Sequence, residues 1–353
     1  MTPPTQLPTQ LAELRDAARA AMSQDAWEYL QGTAGSPDLD VLTWQSIPVV
    51  PRVLQGMTGV DTSVTIGGAE LATPVVVAAT AAHRLAHPDA EVATAAGAAA
   101  QGALMVYSNS AAVEVTEFGA AARCPWWAQV YVLRDRGRTY DYLDRCVAAG
   151  ARAIVVTVDY PGTSASPSFR AATSRRLTAT PGNYPEWTWP EMSAAIDPGL
   201  TPAVIGELAD RTGLPIQVKG VLHAADATTA VDAGAAGIVV SNHGRRQVGG
   251  VLPTALALPS IVDAVGDTAL VTVDGGIRSG VDVLRALAMG AKAVGVGRPV
   301  FWGLAANGVQ GVDDVIGTMT AQLRQVMASI GASSVDRIDR SMIRMPSPLD
   351  AGG

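Results

Sequence analysis

The sequence predicts an α/β protein built as a (β/α)8 barrel, the TIM-barrel class. It adds an N-terminal helical extension and a long lid loop after the fourth barrel strand. Three observations carry this. Eight short runs rich in β-branched residues recur along the 353 residues. They are continuously apolar rather than alternating, the pattern of strands covered on both faces. Ala-rich segments of helical length separate them, and eight such units close naturally into a barrel.

Taken in order, residues 1–73 form the extension, with helices in "QLAELRDAARAAM" and "DAWEYLQG" and a hairpin in "VDTSVTIGGAEL". Strands are expected at 74–80, 103–109, 127–132, 153–159, 215–220, 237–242, 270–276 and 293–299. Between them, "HPDAEVATAAGAAAQG" and "SGVDVLRALAMG" read as helices. The second opens on a Ser cap and closes on Gly, the usual polarity of helix signals. Residues 160–200 are rich in Ser, Thr, Pro and Gly, and a loop of that length in a compact domain is usually a lid. The barrel domain is therefore drawn at 74–345 and a tail at 346–353. An open doubly wound sheet is the alternative fold, but no GxGxxG follows the first strand.

A net charge of −7 and 5% aromatic residues argue against nucleic-acid binding, which needs a basic face and stacking platforms. No uncharged apolar run reaches the ~18 residues of a membrane span. The N-terminus has no basic segment leading into an apolar core. Cys124 and Cys146, the two cysteines, have no CxxC spacing and suit buried, reduced thiols. These features predict a soluble, cytoplasmic protein without metal.

In such barrels the chemistry gathers at the C-terminal ends of the strands. Here those ends carry Thr80 and Ala81, Ser108, Gln129 with Tyr131, Thr157 with Asp159, Lys219, and Ser241 leading to His243 and Arg246. The last two strands add Asp274, Gly276 and Arg278, then Gly297 and Arg298. "DGGIRSG" and "GVGRP" combine glycines that admit an anion to backbone N–H groups with arginines to pair it. Two such sets on the last two strands point to a phosphate site, where glycines that merely turn the chain are the alternative. Lys219 would be either a rim lysine or a cation set against developing negative charge. His243 titrates near neutral pH and so can serve as a base, with Asp159 to orient it.

"SNHG-x-RQ", "VKGV", "TVD-x-P", "QVYV" and "DGGIRSG…GVGRP" together resemble the FMN-dependent α-hydroxy acid oxidases and dehydrogenases, within which hydroxymandelate oxidases look most similar. The resemblance spans nearly the whole chain. It implies FMN as cofactor and a 2-hydroxy acid, aryl or larger, as substrate, with oxygen or another electron acceptor. It also implies a homo-oligomer, often a tetramer. Gly276, Arg278, Gly297 and Arg298 would hold the FMN phosphate, and Asp274 the ribityl chain. Ala81, Ser108, Gln129, Thr157 and Lys219 would meet the ring system, with Thr80 and Ser241 beside it. His243 would take the substrate proton, the electrons leaving as a hydride or by way of a carbanion. Arg246 and Tyr29 would grip the carboxylate, and Tyr131 the oxyanion.

Four positions depart from that pattern or tune it. The segment after "TVD-x-P" normally supplies a second arginine, and an ungapped match falls on Ser166. One of Arg170, Arg175 and Arg176 is expected to reach back in its place. Losing a charge-assisted contact costs roughly 1.5–3 kcal/mol. Arg245 replaces a small residue and would intrude on the site, replace the missing cation, or point into solvent. Gly249 replaces an acidic residue. Ser110 stands where short-chain oxidases tend to have Trp, either leaving room for a bulky substrate or simply solvated. An FMN enzyme acting on an α-amino or peptide-like compound, a flavin barrel without turnover, and a non-flavin sugar-phosphate barrel are the competing readings.

Overall fold

The computed structural model describes residues 9–36, 38–162 and 180–345. β1 (Val64–Ile66) and β2 (Ala69–Leu71) pair as an antiparallel hairpin. Eight parallel strands follow: β3 (Val75–Thr80), β4 (Met105–Ser108), β5 (Trp126–Val130), β6 (Ile154–Thr157), β7 (Ile216–Val221), β8 (Gly237–Val240), β9 (Leu270–Asp274) and β10 (Ala293–Val296). β10 pairs with β3 and closes the barrel. Each lies within a few residues of its expected run. The hairpin and both extension helices, Thr9–Ala21 and Gln24–Gln31, also form where expected.

Alternation along the strands decides what the barrel encloses, because successive side chains point to opposite faces. Met105 and Tyr107 pack outward against helices, whereas Leu104 and Val106 fill the interior. The same parity sends Trp127, Ala153, Val155 and Ala293 inward. These form a floor with Ile66, Ala69 and Leu71 of the hairpin, which stoppers the lower end. Continuing the inward series of β4, β5 and β6 by two residues reaches Ser108, Gln129 and Thr157 at the upper end, and Lys219 of β7 pairs with Thr157 at the same level. Apolar floor and polar mouth thus arise from one periodicity.

The extension holds on through Leu11, Leu14 and Ala18, one stripe of the helix Thr9–Ala21, which contacts the helical stretch Arg298–Ile330, kinked at Asn307 and Gly308. Ser279 caps the helix Gly280–Ala288 by accepting from the Asp282 N–H, as its sequence signal predicts. The lid differs from expectation. Within 160–200, Trp189–Ala195 is a helix with a reciprocal capping box between Thr188 and Glu191 and a proline in its first turn. The "TWPE" quartet carries this signal, which the surrounding Ser, Thr, Pro and Gly obscured. Ser166, Arg170, Arg175 and Arg176 lie outside the described residues.

Candidate active site

The barrel mouth opens into a cavity with about 1300 Å³ of empty space, the open solvent at its entrance included. Tyr29, Thr80, Ala81, Ser108, Gln129, Tyr131, Thr157, Lys219, His243, Arg246, Asp274, Gly276, Arg278, Gly297 and Arg298 all line it. Asp159 and Ser241 stand immediately behind this lining and bond to it. Every residue singled out at a strand end therefore converges on one volume.

At its centre, His243 Nδ1 lies 2.9 Å from Asp159 Oδ1, and His243 Nε2 lies 3.3 Å from the Tyr131 hydroxyl. The two rings are parallel to within 8°. Burial raises the Asp159 carboxyl, but the His243 and Lys219 charges more than offset it and hold the group below its ordinary value. It is a carboxylate at neutral pH, suited to support a protonated imidazole. The His243 backbone has φ +56, uncommon for a residue with a side chain. Its N–H donates to Ser241 Oγ at 3.1 Å. Such strain concentrates at functional sites.

Arg246 donates to the Tyr29 carbonyl at 2.6 Å and the Leu30 carbonyl at 3.1 Å, with its guanidinium 4.8 Å above the Tyr29 ring. The extension thereby braces this cation. Burial keeps the phenols of Tyr29 and Tyr131 above their usual value, so both remain hydrogen-bond donors.

A polar chain crosses the floor of the mouth. Ser108 Oγ donates to Gln129 Oε1 at 3.1 Å, and Gln129 Nε2 donates to Thr157 Oγ1 at 3.0 Å. Lys219 Nζ donates to Ser241 Oγ at 2.9 Å and stands 3.6 Å from Asp274 Oδ2. Ser241 in turn donates to Asp274 Oδ1 at 2.6 Å. Thr80 is held by His83, whose Nε2 lies 2.7 Å from its hydroxyl.

On the far side, burial lowers Arg298 to about 9, with repulsion from Arg246 and Arg278 adding to it. Burial likewise takes Arg278 to about 10. Guanidinium stays protonated in proteins, so the pair concentrates cationic charge on this side of the cavity, with Arg298 steadied by donating to the Gly244 carbonyl at 2.8 Å. Gly297 begins the helix Arg298–Ile330 without a side-chain cap, leaving first-turn N–H groups for a ligand.

Three expectations are corrected or sharpened. Arg245 neither enters the cavity nor reaches solvent. It is buried, donates to the Val251 carbonyl at 2.8 Å and approaches Asp40 at 3.8 Å. Its left-handed backbone, φ +61, turns it away from Arg246. Ser110 is not solvated; it is buried, lines the cavity and lies 3.5 Å from Met192 Sδ. Gly249 lies in an exposed turn and does not line the cavity. Sequence reasoning missed Trp189, Met192 and Ile196, which roof the cavity from the unrecognised helix and its end.

A family model described as FMN-dependent dehydrogenase matches residues 18–345. The chain belongs to that family. Among its relatives, the 4-hydroxymandelate oxidase of Amycolatopsis orientalis is 38% identical over 353 residues, covering 92% of this chain and 95% of that protein. The peroxisomal (S)-2-hydroxy-acid oxidase of Oryza sativa subsp. japonica is 35% identical over 351 residues, covering 96% of each. A solved mandelate oxidase matches with a TM-score of 0.87 at 37% identity, over 95% of this chain and 97% of that one.

This FMN-dependent dehydrogenase family member has the groups that its cofactor needs. Gly276 lines the cavity, and a Cβ there, where φ is +83, would lie 2.7 Å from Asp40 Cβ and 2.8 Å from the Trp44 ring, so only glycine fits between the cavity and the helix Leu39–Gln45. That backbone, the Gly297 helix start, Arg278 and Arg298 fit a phosphate dianion. Lys219 and the Ser108–Gln129–Thr157 chain present a buried cation and neutral donors suited to a heteroaromatic ring edge. Among the described residues no group of His, Cys, Asp and Glu is arranged for a metal ion, and no helix is long and apolar enough to cross a membrane.

Proposed function

We propose that the protein oxidises an aryl 2-hydroxy acid at its α-carbon to the 2-oxo acid, with His243 as base. The observation that carries this is the Asp159–His243–Tyr131 line beside Arg246, opening on the cavity that also holds the Gly–Arg anion loops. Arg246 and the Tyr29 hydroxyl bind the substrate carboxylate, and the buried site strengthens that ion pair. Tyr131 hydrogen-bonds the oxygen on the α-carbon as charge develops there, a contact worth about 10²–10³ in rate at comparable sites. Two hydrogens are lost from the substrate: Nε2 takes one as a proton, since Nδ1 is committed to Asp159, and the other passes with the electron pair to the acceptor. Asp159 stabilises the resulting imidazolium. FMN, when bound, would supply the two-electron acceptor that this oxidation needs. Gly276, Arg278, Gly297 and Arg298 would hold its phosphate, Asp274 its ribityl chain, and Lys219 an edge of its ring system. Thr80, Ala81, Ser108, Gln129 and Thr157 orient its ring, while Ser241 holds Lys219 and Asp274 in place.

The preference for an aryl side chain is supported by Ser110, whose small side chain leaves space under Trp189, Met192 and Ile196. We take residues 74–345 as the catalytic barrel and 1–73 as a brace that supplies Tyr29. Burial raises Cys124 to about 11 and Cys146 to about 12, consistent with inert reduced thiols in a cytoplasmic protein. Exposed Val53 and Leu54 agree with a homo-oligomer, a reading that light scattering would check. Oxygen or another electron acceptor would be the second substrate.

The test is anaerobic mixing of the FMN-loaded protein with mandelate, lactate, glycolate and α-amino acids, followed by air. Bleaching of the yellow colour fastest with mandelate is expected. Bleaching by amino acids alone, or by none of these, would sink the proposal. The rate at which air restores the colour distinguishes oxygen from another acceptor.

A further inference from the structure

We propose that Tyr160 is a specificity-determining residue of this oxidation. Its ring walls the substrate side of the cavity, and its hydroxyl pins the helix that roofs it. The inference rests on the assignment of 2-hydroxy acid oxidation to this cavity.

Tyr160 follows Asp159 directly. On a continuing strand it would point away from the barrel interior, opposite to Asp159. β6 ends at Thr157, so that constraint is released, and Tyr160 instead lines the cavity. Its ring centroid lies 5.3 Å from Tyr131 at an inclination of 64°, and 6.0 Å from His243. Two groups assigned to the reacting carbon therefore face this ring. The Tyr160 hydroxyl donates to Ser193 Oγ at 3.0 Å, within the helix Trp189–Ala195. Two residues on, Gly162 has φ +85, and a Cβ there would lie 2.4 Å from the Ser193 carbonyl oxygen. The segment thus lies flush against the roof helix, which contributes Trp189 and Met192 to the cavity.

This geometry links the base to the roof through one aromatic side chain. A flat aryl substituent can pack against that ring, and aromatic pairs gain more than their buried area alone. The methyl group of a lactate-sized acid offers far less surface to it. Tyr160 therefore discriminates by side chain while the carboxylate and α-carbon contacts stay common to all substrates.

The test uses full-length, FMN-loaded protein and its Tyr160→Phe, Tyr160→Leu, Tyr160→Ala and Ser193→Ala variants. The 2-oxo acids phenylglyoxylate and pyruvate are titrated against the flavin absorbance, which needs no turnover. In Tyr160→Ala, phenylglyoxylate should bind about 10-fold or more weakly while pyruvate changes less than about 3-fold. Tyr160→Phe should keep most of the aryl preference. Combining Tyr160→Phe with Ser193→Ala should weaken binding no further than either alone, because both cut one bond. With mandelate, the apparent dissociation constant should move more than the limiting reduction rate. Equal losses for the two oxo acids, or none, would overturn the proposal. If Tyr160→Ala fails to retain FMN, Tyr160→Leu gives the same reading, and an aryl-selective loss is again required. A wild type bleached by no hydroxy acid defeats the functional assignment, whereas oxo-acid binding still reports on Tyr160.

Discussion

His243 presents Nε2 to the cavity because its Nδ1 stands 2.9 Å from Asp159 Oδ1, a pairing that fixes the ring's orientation and its tautomer together. His243→Ala should therefore retain the yellow cofactor and lose anaerobic bleaching, with a fall of about 10²–10⁴ in reduction rate. Stopped-flow absorbance measures this directly. Unaltered bleaching would place the base elsewhere.

Asp159→Asn should keep the hydrogen bond and lose the charge. On the proposed reaction imidazolium would form, so the reduction rate should drop by about 10²–10⁴ with FMN content preserved. A loss smaller than about threefold would show that charge at this position is not used.

The depressed titration of Asp159 has a consequence for stability in acid. A carboxyl held below its unfolded value stabilises the fold above that value, ~3.9, and the benefit is lost as pH falls through the folded value. Wild-type protein should lose melting temperature more steeply below about pH 4 than Asp159→Asn does. Calorimetry across pH 3–6 checks the sign.

Arg298 is a half-buried cation beside two others. Arg298→Met should raise the FMN dissociation constant by about 10–100-fold, the loss of one charge-assisted contact. Inorganic phosphate should raise the melting temperature of flavin-free wild type more than that of the variant. Equal responses would argue that the anion sits elsewhere.

Ser110→Trp should fill the space beside Met192 and penalise large substrates. The ratio of kcat/KM for mandelate over lactate should fall by about 10-fold or more, since overfilling a formed pocket costs about 1–3 kcal/mol. An unchanged ratio would show that the aryl group lies on another side of the cavity.

Much of this molecule is legible in the linear chain because its signals are local. A parallel barrel strand is covered on both faces, so each announces itself as an apolar run, and the polar residue that ends the run marks the mouth. His243, Lys219, Gln129 and Asp274 were found in this way. Arg245 escaped because its direction depends on a left-handed turn between His243 and Arg245 and on Asp40, which lies about two hundred positions earlier in the chain. Trp189 and Met192 escaped because their seven-residue helix sits inside a stretch whose composition speaks for a loop. Tyr160 escaped because strand parity, which places its neighbours, stops applying where the strand ends.

The hairpin of β1 and β2 turns the cylinder into a cup. Among the described residues, anything as large as an organic acid meets the cavity from the rim that Trp189 lines, opposite the hairpin. A bound 2-hydroxy acid would then have to turn its carboxylate toward Arg246 and its side chain toward Trp189 and Met192, which line that same cavity.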